Sequence, residues 1–103
     1  MKTQTTPEIE ISADQQQETA YEPLYRVIIH NDDVTPMNFV IYILQNIFML
    51  AGPRAVQVMF TAHIHGVAYV ESLPKSEALQ RIHRAHVTAR LSGFPLLFTL
   101  ERE

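Results

Sequence analysis

Prolines divide the chain from residue 24 onward into short apolar segments, and this spacing restricts the folds open to it. Five of the six prolines, Pro23, Pro36, Pro53, Pro74 and Pro95, each stand immediately before such a segment or at its first positions. Proline fixes φ and lacks a backbone N–H, so it is tolerated at the start of an element rather than inside it. We therefore expect each apolar segment to form a separate strand or helix.

The spacing of apolar residues assigns a type to each segment. Alternation with a period of two predicts strands, and apolar residues three and four apart predict helices. The predicted order is strand 24–29, helix 36–49, helix 52–64, strand 67–70, helix 74–92 and strand 96–101. We expect a buried stripe of Met37, Val40, Ile41, Leu44 and Phe48 in the first helix, and Leu79, Ile82, Ala85, His86 and Ala89 toward the core in the third. In the second helix, helical spacing relates Val56, Met59, Ala62 and His63. This order predicts an α+β fold, a small three-stranded antiparallel sheet with three helices packed on one face.

The first 23 residues differ in composition from the rest of the chain. They hold five acidic residues and one basic residue, whereas residues 24–103 hold six acidic and seven basic residues. They contain few large apolar side chains, so they cannot bury enough surface to offset the entropy of ordering. We therefore expect a flexible acidic N-terminal arm, residues 1–23, and one folded domain, residues 24–103.

Composition argues against several classes of function. The chain has no cysteine, which excludes disulfides and cysteine-ligated zinc. No apolar run approaches the roughly 20 residues that span a bilayer, and no signal-peptide pattern is present, so a soluble cytoplasmic protein is expected. The nearly neutral body has no basic stripe for a phosphate backbone, and the second helix of a possible helix-turn-helix offers only Arg54. We expect no nucleic-acid or membrane partner, and a monomer.

A polar loop, residues 30–37 with the sequence HNDDVTPM, leaves an apolar strand and enters an apolar helix. Two interpretations are open. Asn and Asp favour turns, and Thr35 followed by Pro36 suits a helix N-cap with proline at the first helical position. Alternatively, the loop is a binding site held in place by the packed elements on either side.

The histidines and carboxylates raise the alternative of a metal-dependent enzyme. His83 and His86 are three residues apart, but no third ligand stands at a recognisable spacing. Asp32 and Asp33 resemble an acid/base pair, yet no serine lies in a nucleophile motif. We therefore expect no catalysis, no metal and no cofactor, and a stoichiometric metal would contradict this.

Two methionines near the loop suggest an apolar patch beside its polar groups. Met37 begins the first helix, and Met59 stands four residues before His63 on one face of the second. If these helices pack together, a methionine-lined surface lies next to Asn31 and Asp32. The alternative is that both methionines are ordinary core residues, since their flexible side chains commonly fill gaps.

Together these residues resemble the ClpS family, adaptors that hand N-degron substrates to a Clp-type AAA+ unfoldase. The likeness spans residues 24–103 and is carried by the HNDDVTPM loop, Phe39-Val40, Leu44-Gln45, Met59 with His63, Gly66, and Pro95-Leu96-Leu97 with Thr99-Leu100-Glu101. The resemblance implies a non-enzymatic adaptor without a cofactor. Its partners would be the N-terminal domain of a Clp-type unfoldase and N-degron peptides and proteins.

The resemblance also assigns roles to single residues. The substrate α-amino group would be bound by Asn31, Asp32 and His63. Asp33 and Thr35 would support the loop or the peptide backbone, and the hydrophobic pocket would be lined by Met37, Met59, Ala62 and Leu96. Docking to the unfoldase would fall to Ser76, Glu77 and Arg81.

Two departures from the family pattern affect these roles. Ala62 stands where the family usually has a β-branched valine, which implies a wider pocket. Ser76 and Arg81 stand where the family tends to have an acidic residue and a lysine. The change at Ser76 and Arg81 implies docking through different contacts or to a different Clp partner. The change at Ala62 leaves room for the alternative, an unfoldase-docking regulator without N-degron selectivity.

Overall fold

The computed structural model describes residues 22–103 of the chain. It contains β1 (Leu24–His30), α1 (Met37–Asn46), α2 (Gly52–His65), β2 (Val67–Pro74), α3 (Lys75–Leu91) and β3 (Leu97–Arg102). This confirms the predicted β-α-α-β-α-β order and the α+β class. The predicted arm, apart from its last two residues, lies outside the described residues. None of the described helices is long and apolar enough to cross a membrane.

The three strands form one antiparallel sheet in the order β2-β1-β3, with β1 in the centre. Ile29 pairs with Ala68 on one side and with Phe98 on the other, and all three side chains are buried. A β-bulge between Val27 and Ile28 inserts one extra residue into β2. Bulges increase the local twist of a strand.

Helix α1 is shorter than predicted at both ends. Its N-cap is Pro36, in an extended conformation, so the prediction of Thr35 as N-cap is wrong by one residue. The Thr35 hydroxyl instead donates to the Asp32 carboxylate, which keeps Thr35 in the preceding turn. The helix ends at Asn46, and Met49 adopts a left-handed conformation with φ of 62°.

The buried faces of the helices also differ from the predicted stripes at several positions. In α1, Met37 is exposed, contrary to prediction, Ile41 is half-buried, and Ile43, which was not predicted, is fully buried. In α2, Ala55 and Val58 are buried while Val56 is exposed. In α3, Ala78 is fully buried while Leu79 is 48% exposed, contrary to prediction. Alanines at 78, 85 and 89 let this helix approach the sheet closely, and the larger Leu79 lies outside that contact.

Candidate functional site

A cavity of about 330 Å³ opens where the 31–36 loop, the start of α1, one face of α2 and Leu96 meet. Its lining combines charged and polar loop residues with apolar helix residues. The lining residues are Ile29, His30, Asn31, Asp32, Asp33, Val34, Thr35, Pro36, Met37, Val40, Met59, Ala62, His63 and Leu96. The cavity therefore brings hydrogen-bonding groups and apolar side chains together.

The carboxylate of Asp32 organises the loop. Its Oδ1 accepts hydrogen bonds from the backbone N–H groups of Val34 and Thr35, at 2.8 and 2.7 Å, and its Oδ2 accepts the Thr35 hydroxyl at 2.9 Å. A carboxylate oxygen can accept two hydrogen bonds, so Oδ2 keeps one free acceptor position within this set. The loop is thus a turn, as one interpretation predicted, and the same turn borders the cavity.

The pKa of Asp32 lies below the ordinary aspartate value. Burial by itself would raise this pKa, but the hydrogen bonds from Thr35 and Val34, together with the positive charge of Arg90, outweigh it. Each of these groups favours the ionised form. Asp32 therefore stays negatively charged at neutral pH and presents an anion at the cavity.

The end of α2 is tied directly to the loop. Gly66 caps the helix in the left-handed conformation, with φ of 89°, and its N–H donates to Ala62 at 2.7 Å. Its carbonyl accepts the backbone N–H of Asn31 at 2.9 Å. An L side chain at this φ is strained, so the glycine makes the tight connection possible. This connection is why His63, on the last turn of α2, lies at the same cavity as the loop.

The apolar side of the cavity is contributed by α1, α2 and the segment before β3. Ala62, Met59 and Leu96 are buried, with 3%, 5% and 1% exposure, and form the inner wall. Met37, which also lines the cavity, is 42% exposed. This arrangement offers buried apolar surface for an apolar group, together with a methionine, whose unbranched side chain adapts to different shapes.

All nine residues predicted for the amine site, the loop support and the pocket line this one cavity. Sequence reasoning did not assign a site role to Ile29, His30, Val34, Pro36 or Val40. His30, Val34 and Pro36 belong to the polar loop 30–37, so their proximity in sequence to the predicted site residues could have indicated that they line the cavity. The His30 ring also forms a hydrogen bond with the Thr99 hydroxyl at 2.8 Å, which joins β1 to β3.

The predicted docking residues lie apart from the cavity, at the start of α3. The Arg81 guanidinium forms a salt bridge with Glu77 and donates to the Ile47 carbonyl at 3.2 Å. The backbone N–H and hydroxyl of Ser76 both donate to the Glu22 carboxylate. Part of the hydrogen-bonding capacity of these residues is therefore used within the chain.

The half-buried carboxylate of Glu71 lies close to Arg81. Its buried Oε2 finds no hydrogen-bond donor within residues 22–103 and lies 3.9 Å from Arg81. Burial raises the pKa of Glu71, since it outweighs the charge of Arg81 and is reinforced by the negative charge of Glu77. Within the same residues, no group of three or more His, Cys, Asp or Glu side chains could hold a metal ion.

Comparison with known proteins shows which family the chain resembles. Residues 20–99 match the family model described as ATP-dependent Clp protease adaptor protein ClpS. ClpS 2 of Mesorhizobium japonicum is 41% identical over 86 residues, covering 84% of this chain and 85% of that protein. ClpS 1 of Rhodopseudomonas palustris is 42% identical over 80 residues, covering 78% of each.

A solved structure is similar as well. Agrobacterium tumefaciens ClpS2 bound to L-phenylalaninamide superposes with a TM-score of 0.76 and 36% sequence identity. The likeness covers 80% of this chain and 99% of that one.

Proposed function

Because the chain belongs to the ClpS family of Clp protease adaptors, we propose that it binds the free α-amino group and the bulky hydrophobic first side chain of N-degron substrates and delivers them to a Clp AAA+ unfoldase. It is an adaptor and not an enzyme. The observation that carries the proposal is one cavity lined both by hydrogen-bond acceptors and by apolar side chains.

The polar side suits a terminal ammonium. A free α-amino group has a pKa of about 7.7–8.0, so at neutral pH it is largely a cation with three donors. Asp32 contributes negative charge and a free acceptor position, Asn31 a carbonyl oxygen, and a neutral His63 one ring nitrogen. An internal peptide bond offers no such cation, so the site would select chain ends.

The apolar side suits the first side chain of the substrate. Met37, Met59, Ala62 and Leu96 line it, and the cavity volume of about 330 Å³ is at the lower end of ligand pockets. The ligand of the A. tumefaciens structure, L-phenylalaninamide, carries both groups required here, a free α-amine and an aromatic side chain. This supports the proposed substrate class for the present chain.

The expected affinity is moderate. Charge-assisted hydrogen bonds contribute about 1.5–3 kcal/mol each, and burial of a leucine or phenylalanine side chain contributes about as much. After the cost of association, two or three such contributions correspond to roughly micromolar binding. An adaptor that must release its substrate needs binding of this strength.

Peptides that differ only in their first residue test the proposal, with an N-acetylated version of each. We expect peptides starting with Leu, Phe, Tyr or Trp to bind, and acetylation to abolish most of the affinity because it removes the cation. Titration calorimetry or fluorescence anisotropy measures this. Equal affinity for free and acetylated peptides would contradict the amine site and favour the docking regulator without N-degron selectivity.

The partner interface is the second half of the proposal. We assign docking on the N-terminal domain of the unfoldase to Ser76, Glu77 and Arg81, in the first turns of α3. Delivery would take place in the cytoplasm with the adaptor as a monomer, assisted by residues 1–23. Co-sedimentation of the adaptor with the isolated unfoldase domain, with Arg81→Ala as the variant, tests this interface separately from peptide binding.

A further inference from the structure

The guanidinium of Arg90 connects the end of α3 to the wall of the cavity. Its Nη1 donates to the carbonyl of Phe94 at 3.0 Å and to the carbonyl of Leu96 at 2.8 Å. Leu96 is 1% exposed and lines the cavity. We propose that Arg90 is a positioning residue of the binding pocket, holding residues 94–96 so that the Leu96 side chain closes the apolar wall. This inference rests on the proposed function.

The segment that Arg90 contacts is held by backbone hydrogen bonds at its beginning, at residues 93 and 94. Between α3 and β3 the chain passes through Gly93, in the left-handed conformation with φ of 81°, and through Pro95, which has no N–H to donate. Backbone bonds fix its beginning, from Gly93 to Arg90 at 3.0 Å and from Phe94 to Ala89 at 2.9 Å.

Packing and hydrogen bonding hold this segment from two directions. The Phe94 ring packs edge-on against Phe39 of α1, with centroids 4.9 Å apart. The two bonds from Arg90 reach the carbonyls on either side of Pro95. The aromatic contact therefore anchors residue 94 to α1, and the guanidinium carries the restraint onward to the residue that lines the cavity.

The charge of Arg90 also influences Asp32, on the polar part of the site. At neutral pH we expect this electrostatic influence to matter less for binding than the positioning of Leu96. The Arg90 charge helps to lower the pKa of Asp32, and the bonds from Val34 and Thr35 precede it in magnitude. Asp32 is therefore ionised at pH 7 whether or not Arg90 is present. The same positive charge opposes a ligand ammonium, so its removal does not weaken amine recognition. The loss of Arg90 should consequently affect the first side chain rather than the amine.

Arg90→Met tests this, with Arg84→Met as the matched control. Arg84 is an exposed arginine on the same helix and does not line the cavity. Affinities are measured at pH 7 for a peptide starting with Phe, the same peptide starting with Ala, and N-acetylated Phe peptide. In R90M the ratio of the affinity for the Phe peptide to that for the Ala peptide should fall about three- to tenfold. This is roughly the change in affinity that corresponds to the net free energy of one hydrogen bond.

The ratio between the affinities for free and acetylated Phe peptides distinguishes a change in the position of Leu96 from a general loss of binding. The ratio between free and acetylated Phe peptides should not fall below its wild-type value in R90M, since the lost charge opposed the ammonium, and R84M should change neither ratio. Arg90→Lys should recover part of the Phe-to-Ala ratio, because an ammonium can still donate to a carbonyl. If R90M does not fold, R90K is compared with wild type and R84M in the same way, with a smaller fall expected.

An unchanged Phe-to-Ala ratio in R90M, or an equal fall of both ratios, would overturn the inference. A ligand-free measurement keeps it separate from the proposed function. The Leu96 methyl resonances should shift in R90M and not in R84M, and unshifted resonances would also overturn it. Failure of the acetylation control in the wild-type protein would instead contradict the amine site, and the Leu96 resonances would still decide the role of Arg90.

Discussion

At the scale of single residues, the carboxylate of Asp32 both stabilises the loop and contributes negative charge to the cavity. Its three internal hydrogen bonds shape the loop, and its charge faces the cavity. The neighbouring Asp33 is exposed and also lines the cavity. The two carboxylates are adjacent in sequence, but the hydrogen bonds that shape the loop are all accepted by Asp32.

Asp32→Asn separates charge from loop shape. The asparagine oxygen can still accept the Val34 and Thr35 N–H groups, while the negative charge is lost. We expect peptides with a free N-terminus to bind about tenfold more weakly, the difference between a charge-assisted and a neutral hydrogen bond. Acetylated peptides should be unaffected in the same anisotropy measurement.

Asp33→Asn is the control for this substitution, since it removes the same charge one residue later. We expect a smaller loss of affinity. Equal losses in the two variants would show that the overall negative potential of the loop, rather than Asp32 itself, attracts the amine.

Ala62 belongs to the proposed hydrophobic pocket, and we expect its small side chain to widen that pocket. It is 3% exposed and lies on the inner wall, where a valine would add two methyl groups. We expect Ala62→Val to lower the affinity for Trp-first peptides several-fold relative to Leu-first peptides, because one or two methylene-sized groups change binding by about 1–3 kcal/mol. Identical rankings of Trp, Phe, Tyr and Leu in wild type and variant would contradict a wider pocket.

At the scale of secondary-structure elements, His86 joins α3 to β3. Its Nε2 accepts the backbone N–H of Phe98 at 3.0 Å, which requires a neutral ring with its proton on Nδ1. Burial lowers the pKa of His86, and the positive charges of Arg90 and His83 lower it further. Phe98 itself packs on Phe48, with ring centroids 4.8 Å apart, so this bond lies beside the centre of the core.

The sign of the resulting pH dependence follows from this pKa. The unfolded chain, with a histidine pKa near 6.5, takes up the proton more readily than the folded one. The contribution to stability is therefore complete above about pH 6.5 and is lost as the pH falls through the lower folded value. We expect the melting temperature to drop between pH 7.5 and 5, and to drop less in His86→Gln, whose amide oxygen accepts the same bond without titrating.

His83→Gln is the control for this experiment. His83 is an exposed histidine on the same helix, so its replacement should leave most of the pH dependence in place. Thermal melts followed by circular dichroism at several pH values measure all three proteins. A wild-type slope that persists unchanged in H86Q would assign the pH dependence to other groups.

At the scale of the whole molecule, every residue that lines the cavity lies between Ile29 and Leu96. The proposed binding site therefore depends on packing among β1, α1, α2 and the segment before β3, all within residues 22–103. We expect deletion of residues 1–21 to leave peptide affinities within about twofold of wild type, and to reduce the rate at which a Clp protease degrades an N-degron substrate.

The two measurements on the truncated protein have separate meanings. Reduced peptide affinity would contradict the expectation that the binding site is complete within residues 22–103. Unchanged degradation would contradict a role of the N-terminal residues in delivery. The boundary between arm and domain near residue 23 is tested by the same variant, through its melting temperature.

Much of the architecture could be predicted from local signals. Prolines and apolar periodicity act over a few residues, and they predicted the number, type and order of all six elements. The Asn and Asp preference for turns likewise predicted the turn at residues 31–35. The same local signals misplaced the ends of α1 and the buried positions Ile43 and Ala78, because helix ends and faces depend on which neighbouring element covers them.

The sequence by itself therefore determined the elements and the chemistry available in the HNDDVTPM loop. Only the tertiary structure decided that this chemistry meets an apolar wall. The Asn31–Gly66 backbone bond brings the last turn of α2 to the loop and joins residues 35 positions apart. The Arg90–Leu96 bond is local, at six positions, but it places Leu96 beside residues of α1 and α2 at the same cavity. The geometry of both contacts depends on how all of the elements pack, which no local pattern encodes.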